Sequence, residues 1–317
     1  MTAGIALLFP GQGSQSLGMG RALYDAFPIA KRTYEEASAI VRYDMAALCF
    51  DGPAERLNST EFTQPALLTA SIAAYRACAA ADFQPVAVAG HSLGEYSALV
   101  AAGAVSFADA VGLVQKRGRY MAEAVPPGTG LVAALLGPTP EVARRVCQEA
   151  SSIGVVAAAN FNCPGQVVIA GEKAAVERAI ELAKANGVRK AIPLPVSVPV
   201  HTPLMQSAAD RLAADLAKAQ WRTPVCPIVN NAEARAISQA ADIVPSLIRQ
   251  LPSSVLWEDS IAAMAAMGVG TFVEIGPGTV LTGLVKRIQS TAVTYNVHDP
   301  ATVESTRAAL GRPAVTA

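Results

Sequence analysis

Val88-Ala89-Gly90-His91-Ser92-Leu93-Gly94 is a short apolar strand running into a G-x-S-x-G turn. A serine on a sharp strand-to-helix turn needs glycines two residues to either side, where a side chain would collide. Ser92 is therefore the candidate nucleophile. Its hydroxyl would sit at the positive end of the following helix, with the Leu93 amide free to donate to a developing oxyanion. Acyl transfer is the reaction class this geometry suits.

Upstream, Ile5 to Phe9 has the pattern of a buried strand and delivers the glycine-rich loop Pro10-Gly11-Gln12-Gly13-Ser14-Gln15. Gln64-Pro65-Ala66 opens a helical segment through Ala81, and the strand Val86 to Ala89 follows. The order strand, helix, strand, helix suits a parallel sheet. Downstream, Ser106-Phe107-Ala108-Asp109 resembles a capping box and starts a helix that ends before Pro126-Pro127-Gly128. At about 100° per residue, Ala110, Val111, Leu113, Val114, Gly118 and Met121 share one apolar arc of that helix, and Arg117 lies inside it. A guanidinium on a core-facing arc is costly unless anions or several acceptors meet it. A bound anionic ligand, an internal carboxylate and a stem snorkelling at the edge of the arc are each compatible with the pattern.

From 130 to 196 the pattern changes to strand (Leu131 to Leu136), helix from Thr139-Pro140, strands Val155 to Ala159 and Gln166 to Ala170, helix Glu172 to Asn186, and strand Ala191 to Val196. That is a βαββαβ order, bracketed by Pro126-Pro127-Gly128 and Pro195 to Pro199, and it predicts an inserted small domain. The expected fold is α/β: a large discontinuous α/β-hydrolase-like domain with a parallel sheet (1–128 and 197–317) and a ferredoxin-like small domain (129–196). The later large-domain elements are a helix to about Ala219, a strand Pro227 to Val229, and Thr271 to Ile275 ending in Gly276-Pro277-Gly278.

Composition narrows the partners. The 317 residues carry 25 basic and 25 acidic side chains, so bulk charge implies neither nucleic acid nor an anionic membrane. The five cysteines (Cys49, Cys78, Cys147, Cys163, Cys226) show no C-x-x-C spacing, which argues against a disulfide framework or a zinc site. With no basic leader and no long apolar run, a cytoplasmic protein is expected.

Ser92 needs a base, and the chain offers three histidines. His91 should point away from the hydroxyl. His298 lies where a hydrolase with the order Ser, acid, His would place its base, and His201 sits in a proline-bracketed loop between the domains. Spacing alone leaves the choice open.

Six collinear motifs carry a resemblance: Phe9-Pro10-Gly11-Gln12-Gly13-Ser14-Gln15, Gln64-Pro65-Ala66, Gly90 to Tyr96, Gln115-Lys116-Arg117-Gly118, Asn160 to Gln166, and Val196 to Met205. Together they resemble the malonyl-CoA:acyl carrier protein transacylases of type II fatty acid synthesis, from about Ala6 to Ile288. The resemblance implies a dyad of Ser92 and His201, with His201 oriented by a backbone carbonyl, that of Gln250. It implies an oxyanion hole of the Gln12 and Leu93 amides, Arg117 paired bidentately with the malonyl carboxylate, and Gln64 shaping the pocket. Malonyl-CoA and the phosphopantetheine thiol of an acyl carrier protein would be the substrates, passing through a malonyl-Ser92 ester. No metal or redox cofactor is called for, and a monomer is expected. Since such carrier proteins are acidic, Arg189-Lys190 and Lys286-Arg287 are candidates for a basic rim.

Two other enzymes share parts of this pattern. A serine esterase or thioesterase would use G-x-S-x-G with His298, but would not want a core-facing Arg117. An acyltransferase of a polyketide pathway is closer, although Val198-Pro199-Val200-His201 matches neither common selectivity signature of that group. A dinucleotide site is poorly supported, because Ser16 stands where G-x-G-x-x-G needs its third glycine. In a non-enzymatic binding module, Ser92 would be dispensable.

Overall fold

The computed structural model describes residues 4–194 and 198–315 and is a mixed α/β molecule with two mixed sheets. Its strands are β1 (Gly4–Phe9), β2 (Ala87–Gly90), β3 (Gly130–Leu136), β4 (Val156–Cys163), β5 (Gln166–Glu172), β6 (Lys190–Pro193), β7 (Ile228–Val229), β8 (Ala236–Ile237), β9 (Val255–Leu256), β10 (Val269–Ile275) and β11 (Val293–Val297). The first sheet has the order β11-β10-β1-β2-β7-β8, parallel throughout except for the antiparallel edge strand β8.

Its central strands are apolar along their whole length because both faces are covered. Ala6, Leu8, Ala87 and Ala89 face Trp257, Ile261 and Val285, whereas Leu7, Phe9 and Val88 face the helices on the other side. Consecutive residues of one strand thus enter different cores, as the two-residue period of a strand requires. The elbow strand β2 lies between β1 and β7, in the buried middle of this sheet.

The helix expected to open at Gln64 begins at Thr60 instead, with Pro65 inside it, and runs to Ala77. Proline is favoured in a first turn, which made Pro65 look like a starter. It is accommodated six residues in, where it forgoes one hydrogen bond near the helix start. The Phe107–Glu123 helix is capped by Ser106, whose hydroxyl accepts from the Asp109 amide at 3.0 Å. Its buried residues are Phe107 and those of the expected apolar arc, Arg117 included. These two helices touch backbone to backbone: a Cβ added at Gly118 would stand 2.6 Å from the Thr60 carbonyl oxygen. That contact sets Arg117 beside Gln64.

The second sheet has the order β6-β3-β5-β4-β9. The first four strands pair antiparallel, with helices Pro140–Ala150 and Lys173–Ala185 packed on one face. The 130–196 segment is not self-contained, however. A fifth strand, β9, arrives from beyond it and pairs parallel to β4 through Asn160–Val255 and Phe161–Leu256. At two residues, β9 carries no periodicity that would mark it in the sequence. The expected strand Ala191 to Val196 is shorter, ending at Pro193. Its last expected residue, the Pro195-Val196-Ser197 part of the proline bracket, and the 196/197 boundary fall outside the described residues.

Candidate active site

Ser92 has φ 52°, in the left-handed region that costs a non-glycine residue on the order of 1–3 kcal/mol. The turn is packed so tightly that only glycine fits on either side. A Cβ on Gly90 would lie 1.9 Å from the Gly94 carbonyl carbon, and one on Gly94 would lie 2.1 Å from the Phe9 oxygen. A clamp from the neighbouring strand holds the elbow open. Asn231, just beyond β7, accepts from the Ser92 amide at 2.6 Å through Oδ1 and donates Nδ2 to the Gly90 carbonyl at 2.8 Å.

Of the three histidines, only His201 reaches the nucleophile, its Nε2 lying 2.7 Å from Ser92 Oγ. Its Nδ1 faces two backbone carbonyls, Gln250 at 3.0 Å and Ser253 at 3.2 Å, and, among the described residues, no carboxylate. Donation from Nδ1–H to these carbonyls leaves Nε2 bare to accept the Ser92 proton. Burial, and after it the charge of Arg117, pushes the His201 pKa down to about 3, so the ring is neutral near pH 7. His91 points away, donating Nε2–H to Asn162 Oδ1 at 2.9 Å and packing against Trp257. His298 follows β11, three strands from β2 and thus roughly 14 Å across the sheet, beside Asp299.

Arg117 is 1 % exposed, which excludes snorkelling. Among the described residues no carboxylate lies within ion-pairing distance of it. Its Nη1 donates to Gln64 Oε1 at 2.8 Å, and its Nη2 to Gln250 Oε1 at 3.0 Å and to Ser92 Oγ at 3.3 Å. Among the described residues the Nε–H meets no acceptor in hydrogen-bond geometry, and the Tyr96 ring lies 5.7 Å from the guanidinium carbon. This is a buried cation, held by neutral acceptors, whose charge nothing in contact with it balances.

Ser92, His201 and Arg117 meet at a cavity of about 260 Å³ between the two sheets. Its far wall is apolar, made by Val132, Ala134, Val168 and Leu194. Gln12 and Leu93 line it too, and among the described residues neither backbone N–H has an acceptor. The loop that carries Gln12 is pressed onto the elbow, since a Cβ on Gly11 would stand 2.3 Å from the His91 oxygen. Gln64 is not on the cavity wall. It lies behind Arg117, with Nε2 3.2 Å from Met121 Sδ. Asn160 and Asn162, which sequence reasoning could not place, do line the cavity.

Three contributions escape a reading of the sequence: the Asn231 clamp, the Gln250 side chain and the Glu95 carboxylate. Glu95 is buried, its pKa pushed up to about 7 by burial against the opposing pull of its hydrogen bonds. Its Oε2 accepts from Gln250 Nε2 at 2.8 Å and from the Asn231 amide at 3.0 Å. For Asn231 the available signal is Asn230-Asn231 directly after an apolar strand. For Glu95 it is the one charged residue, three beyond the nucleophile, on the helix Gly94–Ala101. Of the expected basic rim, Arg189 and Lys190 are exposed, while Arg287 donates to the Pro164 carbonyl and Gln166 Oε1 at 2.8 Å each.

Known proteins of similar sequence and structure are acyl transferases. Residues 6–306 match the acyl transferase domain family. The chain is 51 % identical over 296 residues to the malonyl CoA-acyl carrier protein transacylase of Escherichia coli K12, covering 93 % of this chain and 96 % of that one. The crystal structure of an acyl carrier protein S-malonyltransferase from Vibrio cholerae superposes with a TM-score of 0.93 at 48 % identity, covering 96 % of this chain and all of that one. A second structure, described as a type II PKS acyl-carrier protein in complex with its malonyl-transacylase, gives 0.92 at 47 % identity, covering 96 % of this chain and 98 % of that one. A strained serine with a carbonyl-oriented histidine and an unbalanced arginine, joined to similarity along nearly the whole chain, leads to one assignment: the chain belongs to the malonyl CoA-acyl carrier protein transacylase family of acyl transferases.

Proposed function

We propose that the protein transfers the malonyl group from malonyl-CoA to the phosphopantetheine thiol of an acyl carrier protein by a ping-pong mechanism, supplying fatty acid elongation. The observation that carries this reading is the single junction at which Ser92 Oγ is 2.7 Å from His201 Nε2 and 3.3 Å from Arg117. A base for the nucleophile and an anchor for an anionic acyl chain thereby converge on one oxygen.

Ser92 Oγ attacks the thioester carbonyl carbon while His201 Nε2 takes its proton. The oxyanion accepts from the Gln12 and Leu93 amides, which are fixed before the reaction begins. The carbon–sulfur bond then breaks, and the departing sulfur takes the proton from His201, leaving a malonyl-Ser92 ester. The carrier thiol repeats the steps in reverse. Arg117 pairs with the free malonyl carboxylate; an acetyl group would leave it desolvated and unpaired, a penalty a neutral pocket could not impose. The chain's own residues carry every step, so no cofactor is called for.

The relative in complex with a polyketide carrier protein keeps a polyketide role as the second reading, with the same acyl group and chemistry. The esterase reading is disfavoured by the position of His298 and by Arg117. We further assign the large unit to 1–128 and 197–317 as an α/β-hydrolase-like domain. The strand order β6-β3-β5-β4, with two helices on one face, supports a ferredoxin-like unit over 129–196. Among the described residues no helix is long and apolar enough to cross a membrane, and we take the enzyme to be a cytoplasmic monomer.

Initial rates with both substrates varied test the mechanism. Parallel double-reciprocal lines, and transfer to holo but not apo carrier protein, are expected. Intersecting lines would contradict a covalent intermediate.

A further inference from the structure

Arg117 and His201 reach the nucleophile from different directions, yet both lean on Gln250. The Gln250 backbone oxygen takes His201 Nδ1–H at 3.0 Å, and its side-chain Oε1 takes Arg117 Nη2 at 3.0 Å. An amide can be turned by 180°, and the wrong sense would put its NH₂ against the guanidinium, donor to donor. Two acceptors forbid that sense. The Gln250 NH₂ is held by the Ser92 carbonyl at 3.0 Å and by Glu95 Oε2 at 2.8 Å. The same Glu95 oxygen takes the amide of Asn231, whose side chain clamps the elbow.

We propose that Glu95 is a positioning residue, one carboxylate oxygen that sets the sense of the Gln250 amide and the seat of Asn231, and through them aims Arg117 and holds Ser92. This rests on the malonyl-transfer reading and deepens it. The arrangement also accounts for a neutral residue standing between acid and base. A Glu–Arg ion pair would occupy the guanidinium fork and compete with a substrate carboxylate. With the Gln250 dipole interposed, Arg117 is oriented while its charge stays available.

The test compares Glu95→Gln, Glu95→Ala, Gln250→Leu and the Glu95→Ala/Gln250→Leu double variant in the full-length enzyme. Initial rates are taken with malonyl-CoA and acetyl-CoA on a holo carrier protein. The exchange of the Gln250 side-chain amide protons is followed by NMR. A glutamine at 95 offers one oxygen to both donors, so Glu95→Gln is expected to stay within about threefold of wild type. Glu95→Ala is expected to lose at least tenfold in malonyl kcat/KM, with a smaller loss for acetyl, so that the malonyl preference narrows. The double variant is expected to be no worse than Gln250→Leu alone, and the Gln250 amide protons to exchange faster in Glu95→Ala only. Glu95→Gln as damaged as Glu95→Ala, equal losses on both acyl groups, or unchanged Gln250 exchange in Glu95→Ala would each overturn the proposal. Failure of the wild-type enzyme to transfer malonyl would instead overturn the functional reading, and the NMR comparison would still judge Glu95.

Discussion

The guanidinium of Arg117 is buried without a counter-charge in contact, and in the proposed function that imbalance would be the basis of selectivity. Removing it should cost the malonyl substrate a desolvated, charge-assisted pair, on the order of 3–5 kcal/mol or roughly 10²–10⁴-fold in kcat/KM. Arg117→Ala is therefore expected to lose most of its malonyl rate and little of its acetyl rate, as competition between the two thioesters would reveal. The titration of the site is set by burial. His201 is lowered from 6.5 to about 3, so it adds stability above pH 6.5 that is lost as pH falls toward 3. Glu95 is raised from 4.5 to about 7, so it adds stability below pH 4.5 that is lost as pH rises through 7. Between about 4.5 and 6.5 the two slopes, each at most about 1.4 kcal/mol per pH unit, oppose one another. Relative to wild type, Glu95→Gln should gain stability with rising pH in that window and His201→Ala should lose it. Urea unfolding at a series of pH values would show whether the signs are as stated.

The elements divide into those whose pattern is local and those made by distant partners. The elbow, the Ser106 cap and the apolar arc with Arg117 inside it are legible in the sequence, because each is written within a few residues. The start of the Thr60–Ala77 helix is not, since Pro65 mimics a starter. Neither is the two-residue strand β9, which exists only through its neighbour β4, whereas β7 falls inside the expected strand Pro227 to Val229. The same holds in the site. Ser92 and Arg117 announce themselves, whereas Asn231 and Gln250 meet the elbow across sequence separations of 139 and 158 residues. Gly118 shows how an element fixes chemistry. Alanine normally favours a helix over glycine by about 1 kcal/mol. At this position a Cβ would collide with the Thr60 carbonyl 2.6 Å away. Gly118→Ala is accordingly expected to destabilise the protein by roughly 1–3 kcal/mol, measured by denaturant midpoint, and to raise KM for malonyl-CoA by displacing Arg117 from Gln64.

At the scale of the molecule, the cavity exists because two sheets face each other, and the chain ties them together twice at that seam. β9 joins β4 directly after the Gln250–Ser253 carbonyls that orient His201, and Arg287 binds the turn between β4 and β5. The second sheet thus lines the cavity with the apolar Val132, Ala134 and Val168 and with Asn160 and Asn162, while Ser92 and Arg117 come from the elbow and the Phe107–Glu123 helix. Zero net charge means that an acidic carrier protein must be met by a local patch. Charge reversal of the exposed Arg189-Lys190 pair is expected to raise the carrier KM several-fold at low salt and leave the malonyl-CoA KM unchanged. An unaltered carrier KM across ionic strengths would remove that pair from the docking surface. The proposed transfer requires Ser92 to carry the acyl group between two thiols. Intact-mass measurement after brief mixing with malonyl-CoA, without carrier protein, reads this directly. A malonyl-sized adduct is predicted that is absent from Ser92→Ala and discharged by holo carrier protein; no adduct on the wild-type enzyme, or one that persists in Ser92→Ala, would contradict it.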